Sequence, residues 1–347
     1  MRVQDNDILL PTTMVGSYPR PTWLTGKVFG EYDEPDYIDY GTKERYWDAV
    51  QLCVDDQVRA GIDVIADGQQ YLESETMHEY GQVFHFWAHH LKGFARWGDP
   101  IAIDLYKKFH APMVTSDIEW VRPIYGPVAE ATQFAADNRP VKIAVQGPLF
   151  LAHCCTDKHY GEMKPLAMDI ARAFNAEFRD LVSRGVDWIQ IHEPLTYYGE
   201  EGWFLDVVNT AFEGVDAHRV WHICYGNQGG NPGVNDPRGQ DMFPFAFDAD
   251  VDQVHIEAGR RGPGDLQYLA GLPERMSLGV GVIDVKSTVI ETAESVADLL
   301  VTAAQYVPAD RICVSTDCGM LNLKREHAQR KLHALVDGTR MARERLS

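Results

Sequence analysis

Val220-Trp-His-Ile-Cys224 is a short apolar run that ends in two side chains with chemistry. A β-strand sends alternate residues to opposite faces, so His222 and Cys224 leave the same face of it. The same design, an apolar run closing on small or polar residues, recurs along the chain. It is present at residues 13–17, 63–67, 142–146 and 188–192, and again at 253–257, 278–283 and 312–316. Helical periodicity lies between most of these runs, clearest over residues 44–60, 164–184, 289–306 and 322–345. Strands alternating with helices imply a parallel sheet, and eight such units imply a closed (β/α)8 TIM barrel of the α/β class. An open doubly wound sheet is the alternative, but Gly16-Ser-Tyr-Pro19 after the first run is no dinucleotide-binding loop.

One connection breaks the rhythm. Residues 68–140 separate the second and third strands, far longer than an ordinary βα loop. The segment is rich in aromatic residues and histidine, including His78, Tyr80, Phe84, His85, Phe86, Trp87, His89 and His90. It is expected to form a helical or hairpin insertion over the barrel mouth. The irregular stretch 226–239, directly after the His-x-Cys run, reads as an ordered loop at the site. With no internal repeat and no low-complexity tail, residues 1–347 read as a single barrel domain.

Composition narrows the partners. Hydrophobic residues make up 45% and charged residues 24%, as in a soluble globular protein. A net charge of -19 argues against nucleic acid and anionic membrane surfaces. No apolar run is long enough to span a bilayer, and the polar start MRVQDND is no signal peptide. Six cysteines are too few for a disulfide scaffold of this length, which points to a reducing, cytoplasmic setting with thiols free or on metal. Nothing in the composition decides between a monomer and a homo-oligomer.

In a barrel of this kind chemistry collects at the C-terminal ends of the strands. Ser17, Asp67, Gln69, Gln146, His192, Glu193, His222, Cys224, Glu257, Asp284, Lys286, Asp317 and Cys318 all fall there. His222 and Cys224 offer half of a tetrahedral zinc site, and Glu257 and Cys318 can supply the other half. Each has a plain reading when taken alone. The pair could be a core cysteine beside a satisfied histidine, Cys318 a small buried hydrophobe, and Glu257 an ion-pair partner of Arg260 or Arg261. Together, at the ends of three strands, they favour Zn²⁺. Cys154 and Cys155 are adjacent, so their side chains diverge and they make a poor ligand pair. The histidines of residues 68–140 read better as part of a lid than as a second metal site. Zinc lowers a thiol's pKa from roughly 8.5 to below neutrality. The expected chemistry is attack of a small-molecule thiol on the electrophilic carbon of an alkyl donor.

These residues also carry a resemblance. Val15-Gly-Ser-Tyr-Pro19, Asp67-Gly68, Gln146-Gly-Pro148, Gln190-Ile-His-Glu-Pro194, His222-Ile-Cys224, His255-Ile-Glu257, Gly281-Val-Ile-Asp-Val-Lys-Ser287 and Thr316-Asp-Cys-Gly319 are spread over nearly the whole chain. As a set they resemble the catalytic barrel of cobalamin-independent methionine synthases and their single-barrel relatives. The resemblance implies that His222, Cys224, Glu257 and Cys318 are the zinc ligands.

The departures bear on substrate. In that family a glutamate after the Asp/His-Gly pair and an aspartate before Glu-Pro hold the amino group of homocysteine. Here those positions are Gln69 and His192. Losing two carboxylates removes the natural partners of an ammonium, and a histidine would sooner favour an anion. The tryptophan that stacks on the folate donor falls near Cys154, and the proposed proton-donor histidine becomes Lys286. A thiol with an anionic group and no amine fits these changes, and coenzyme M is one. The epoxyalkane:coenzyme M transferases are similar single-barrel relatives, in which the thiolate opens an epoxide and an acid protonates the alkoxide. His192, Lys286 and Tyr197 are the candidates for that acid, with Asp284 also assigned to the catalytic group. Ser17, Gln69, Gln146, Glu193 and Arg260 are the candidate substrate contacts, Glu193 being the group that could hold an amine from elsewhere. The competing readings are a short methionine synthase, methylating homocysteine from folate, a corrinoid protein or another donor, and a non-catalytic zinc-binding barrel.

Overall fold

The computed structural model describes residues 1–4, 6–25, 40–71, 81–95, 100–102, 108–194, 202–226, 239–243 and 245–347. Its centre is one parallel sheet of seven strands that neighbour each other in chain order. They are β1 (Ile65–Ala66), β2 (Val141–Gln146), β3 (Trp188–His192), β4 (His218–His222), β5 (Gln253–Glu257), β6 (Ser277–Ile283) and β7 (Ile312–Thr316). Strands β5, β6 and β7 are buried at every position, as in a parallel sheet covered on both faces, although β5 alternates polar and apolar residues.

The segment around Thr12 and Thr13 closes the sheet. Thr13 N–H donates to the Val314 carbonyl at 2.9 Å and Val314 N–H to the Pro11 carbonyl at 2.8 Å. On the other side Val64 N–H donates to the Thr12 carbonyl at 2.9 Å. The first apolar run of the sequence is therefore an eighth stave, but it forms only an isolated bridge, Thr12 to Val314. Side chains replace its ladder: Thr12 N–H and hydroxyl both donate to Asp63, and Val15 N–H donates to the Thr316 hydroxyl.

Helices α1 (Tyr40–Ala60), α2 (Gly81–His90), α3 (Gly126–Ala136), α4 (Pro148–His153), α5 (Met163–Ser183), α6 (Phe204–Phe212), α7 (Ala293–Ala303) and α8 (Arg325–Leu346) accompany the strands. On α5 the residues Leu166, Ile170, Phe174, Phe178 and Leu181 recur at helical spacing and are all buried. Each such Leu or Phe contributes about 1.5–3 kcal/mol relative to exposure.

Within residues 68–140 the described part holds α2, the antiparallel pair Leu91–Ala95 with Met113–Trp120, a second pair Pro100–Ala102 with Lys108–His110, and α3. Glu177 of α5 docks this region. Its buried carboxylate accepts N–H from the Trp120 indole and from the backbones of Ile124 and Tyr125 at 2.6–2.9 Å. Among the described residues no helix is long and apolar enough to cross a membrane.

The base of the barrel is apolar. Val64, Trp188, Val220 and Cys313 form a cluster with Val3 of the amino-terminal hairpin, and Met1 and Ile8 pack against it. Above it lies a polar layer. The Lys142 ammonium, stripped of water and so lowered to about 8, donates to Gln190 Oε1 at 3.0 Å and to the Met14 carbonyl. Gln190 Nε2 in turn donates to the Val15 carbonyl at 2.7 Å.

Candidate metal centre and pocket

Register brings the functional side chains to one level. Gln146 of β2 is the neighbour of His192 of β3, which neighbours His222 of β4, which neighbours His255 of β5. The His192 and His222 rings lie with centroids 4.8 Å apart, as do those of His222 and His255. Two residues further along β5, Glu257 reaches the same rim, and Cys224 lies just past the end of β4.

The four proposed ligands fall into two overlapping groups there, one of which also holds His192. Ligating atoms of Cys224, Glu257 and Cys318 lie within 4.8 Å of one another, and so do those of His192, His222 and Cys318. Cys318 belongs to both groups. Cys224 Sγ is 3.8 Å from Glu257 Oε1. His222 is fully buried, its Nδ1 is 2.7 Å from His255 Nδ1, and its Nε2 has no hydrogen-bond partner. A buried lone pair without a partner is costly unless something occupies it. Imidazole, two thiols and a carboxylate form a donor set suited to Zn²⁺, and the orphaned Nε2 supports that fit. His192 is a further donor beside this set that the sequence reading assigned to catalysis alone.

The protonation pattern of the side chains is consistent with a cation site. Burial, then the neighbours His192 and His255, hold His222 far below the ordinary histidine range, so it is a neutral donor. The Cys224 thiol donates to Cys318. This lowers Cys318 despite burial, aided by the Lys286 charge, while Cys224 is raised. Glu257 Oε2 pairs with Lys286 Nζ at 2.6 Å, with 0% and 8% of the two side chains exposed. The plain alternative for Glu257 taken alone was an ion pair with Arg260 or Arg261. Those arginines instead pair with Asp284 and Asp265. Burial alone would lower Lys286, and the charges of Glu257, Cys318 and Cys224 outweigh it and hold it above the usual lysine range.

A cavity of about 340 Å³ opens over this centre. Cys224 and Cys318 line it with Ser17, Gln69, Gln146, Gln190, His192 and Lys286, and Phe84 and Phe150 supply apolar wall. Phe84 comes from residues 68–140. The Lys286 ammonium is the one charged group apart from the thiols among the described lining residues, and no carboxylate lines it.

The remaining candidates are placed as follows. Gln69 sits at φ 51°, its Nε2 donating to the Ala144 carbonyl at 3.1 Å. Such a conformation is uncommon for a residue with a side chain. The neighbouring Asp67 carboxylate holds the turn by accepting Gln69 N–H at 2.7 Å. Gln146 Oε1 is buried without a partner. Burial, then Lys286, lowers His192 to about 4, so it is neutral near pH 7 and offers an anion no charge, contrary to expectation. Glu193 lies behind the lining. Its oxygens accept the N–H groups of Leu149 and Phe150 at 2.7 and 2.9 Å, at the first turn of α4. A Cβ on Gly147 would fall 2.1 Å from that carboxyl carbon, so only glycine fits. Asp284 and Arg260 also stand outside the lining. Asp284 accepts the Lys286 backbone N–H at 2.9 Å and an Arg260 guanidinium N–H at 3.3 Å, so it fixes the loop that carries Lys286. Tyr197 falls outside the described residues.

Asp317 and His255 are the residues whose parts the sequence reading missed. Asp317 accepts backbone N–H from Ala258, Gly259 and Arg260. The signal for His255 was its parity with Glu257, which puts both on the inner face of β5.

The chain is similar to known proteins over nearly its whole length. Residues 10–341 match the family described as the catalytic domain of cobalamin-independent synthase. The chain is 33% identical to 2-hydroxypropyl-CoM lyase of Xanthobacter autotrophicus (strain ATCC BAA-1158 / Py2), over 100% of this chain and 98% of that one. It is 32% identical to a methionine synthase of Saccharolobus solfataricus, over 97% and 96% of the two chains. In fold it is similar to a B12-independent methionine synthase from Shewanella sp. W3-18-1, solved in complex with selenomethionine. The TM-score there is 0.82 with 27% identity, over 98% of this chain and 99% of that one.

Proposed function

The chain belongs to the cobalamin-independent synthase catalytic-domain family, and from that premise we propose that it is a zinc-dependent thiol S-alkyltransferase acting on a thiol of the coenzyme M type. It is an enzyme of the methionine synthase superfamily. The observation that carries the choice of thiol is the pocket lining. An aminothiol needs a carboxylate for its ammonium, and the described lining offers none while presenting the Lys286 ammonium. The similarity to a 2-hydroxypropyl-CoM lyase supports the same choice.

His222, Cys224, Glu257 and Cys318 would hold the metal. Zinc, when bound, supplies a thiol ionised near neutral pH. The chain's own groups do the rest. Phe84 and Phe150 give a small epoxide apolar surface. As the sulfur–carbon bond forms, the epoxide carbon–oxygen bond breaks and the alkoxide takes a proton from the Lys286 ammonium. Glu257 at 2.6 Å steadies that ammonium, and the loop anchor Asp284 fixes its backbone. The amine then regains a proton from water.

The test offers coenzyme M and homocysteine separately to the zinc-loaded protein in a calorimeter. Coenzyme M is expected to bind more tightly, and tighter homocysteine binding overturns the assignment. With coenzyme M and epoxypropane, a hydroxypropyl thioether should appear by mass spectrometry.

The second reading is a short methionine synthase. It is favoured by the 32% identity to the Saccharolobus enzyme, nearly equal to that of the lyase. Methionine formed from homocysteine and a methyl donor, with no thioether from the epoxide, decides for it.

A further inference from the structure

Resting on the zinc reading above, we infer that His255 is a positioning residue, which takes the Nδ1 proton of His222 in a hydrogen bond and so keeps the Nε2 lone pair of His222 turned to the metal. The two Nδ1 atoms lie 2.7 Å apart between buried rings. Two neutral imidazoles meeting nitrogen to nitrogen share one proton, so one ring donates and the other accepts. If His255 donated, His222 would carry its own proton on Nε2 and present N–H to Cys318 and the other donors. If His222 donates, its Nε2 is a free lone pair, as metal ligation requires. Nε2 is buried without a hydrogen-bond partner on both rings, so ligation makes the choice: only the second arrangement turns a lone pair of His222 towards the metal.

The fold is built around this contact. His222 and His255 are register partners on β4 and β5, so their side chains leave adjacent strands at one height. On the far side of His255 its register partner is Gly279. A Cβ there would lie 2.7 Å from His255 Cδ2 and 2.6 Å from Gln253 Nε2. The glycine leaves the room that the second imidazole needs. A metal-ligating histidine is ordinarily oriented by a carboxylate, a carbonyl or water. Here a neutral imidazole has that position, which fixes the tautomer without adding a second negative charge beside Glu257.

Two measurements test this. Nitrogen-detected long-range NMR on the metal-free, ¹⁵N-histidine-labelled protein reads the tautomer directly. His222 should be protonated on Nδ1 and His255 on Nε2, and the reverse pattern overturns the inference. Zinc titration against a competing chelator then compares His255→Leu with His255→Asn, whose Oδ1 can replace the lost acceptor. The leucine variant should bind zinc about 10–100-fold more weakly, and the asparagine variant should recover most of the loss. Equal weakening in both variants, or none in the leucine variant, also overturns it. Should the wild-type protein take up no zinc at all, the zinc reading itself fails, whereas zinc uptake with the wrong tautomer sinks the positioning role alone.

Discussion

Asp317 accepts the backbone N–H of Gly259 at 2.8 Å, and with it those of Ala258 at 3.2 Å and Arg260 at 2.7 Å. The residue before one thiol of the site therefore grips the chain just after its carboxylate. Burial and the nearby Glu257 push this carboxyl towards protonation, and the Arg260 and Gly259 N–H groups oppose them. Asp317→Ala leaves the part-buried N–H groups of Gly259 and Arg260 without this acceptor, while Ala258 N–H keeps the Gly281 carbonyl, and should cost about 1–3 kcal/mol of stability. It should also weaken zinc binding through Glu257 and Cys318 together. Chemical denaturation and zinc titration of the variant check both effects, and unchanged zinc affinity would mean that the grip does not set the site.

Cys318 is common to both donor groups, so its removal should disturb the site more than removal of any other ligand. Zinc content of purified Cys318→Ser is expected to fall well below one equivalent. Full stoichiometry with undiminished activity would strike Cys318 from the ligand set.

Lys286→Met removes the ammonium beside a carboxylate that is 0% exposed. Breaking such a pair from one side typically costs about 3–5 kcal/mol. The loss should be largest in the metal-free protein and smaller with zinc, whose charge compensates Glu257. Melting curves with and without zinc should therefore diverge more in the variant than in the parent. Equal shifts in both forms would argue that Glu257 does not face the metal.

Gln69→Glu combined with His192→Asp restores carboxylates at two positions of the pocket wall. Preference should move from coenzyme M towards homocysteine, read as the ratio of dissociation constants for the two thiols. No movement in that ratio would mean that these positions do not meet the thiol's polar end.

Asp67 gives a pH signature. Burial raises its carboxyl from 3.8 to about 7, and Oδ1 is buried without a partner. A group raised in the folded state favours folding while it is protonated. Its contribution is full below the unfolded value near 4 and declines until the pH passes about 7. Asp67→Asn removes the titration and keeps an oxygen for Gln69 N–H. Its stability relative to the parent should rise between pH 5 and 8, by up to roughly 3 kcal/mol. Parallel urea midpoints for the two proteins across that range would refute the assignment.

The barrel strands were legible because they are largely buried and most carry a short apolar run, though β4 and β5 interleave it with His218, Arg219, Gln253, His255 and Glu257. The first run was legible as a stave but not as an irregular one, since side chains of Thr12, Asp63 and Thr316 replace its ladder. The candidate metal ligands follow from strand parity and from residue chemistry. The roles of Glu193 and His255 could not. Glu193 is absorbed by the first turn of α4, a contact that depends on where Gly147 lets the helix approach. His255 meets His222 only through the offset between adjacent strands, and a single strand's sequence carries no record of that offset. The Lys286 and Glu257 pair was hidden for the same reason, because it joins the ends of two strands that sequence treats separately.

The apolar base gives the site a direction. Val3, Val64, Trp188, Val220 and Cys313 seal the far end, and the Lys142 and Gln190 layer fills the space above them. Among the described residues the tube is thus closed below the metal centre, and the cavity lies above it. If the proposed reaction holds, depth would set the order of entry: a thiol bound at the centre would come before an electrophile held nearer the mouth.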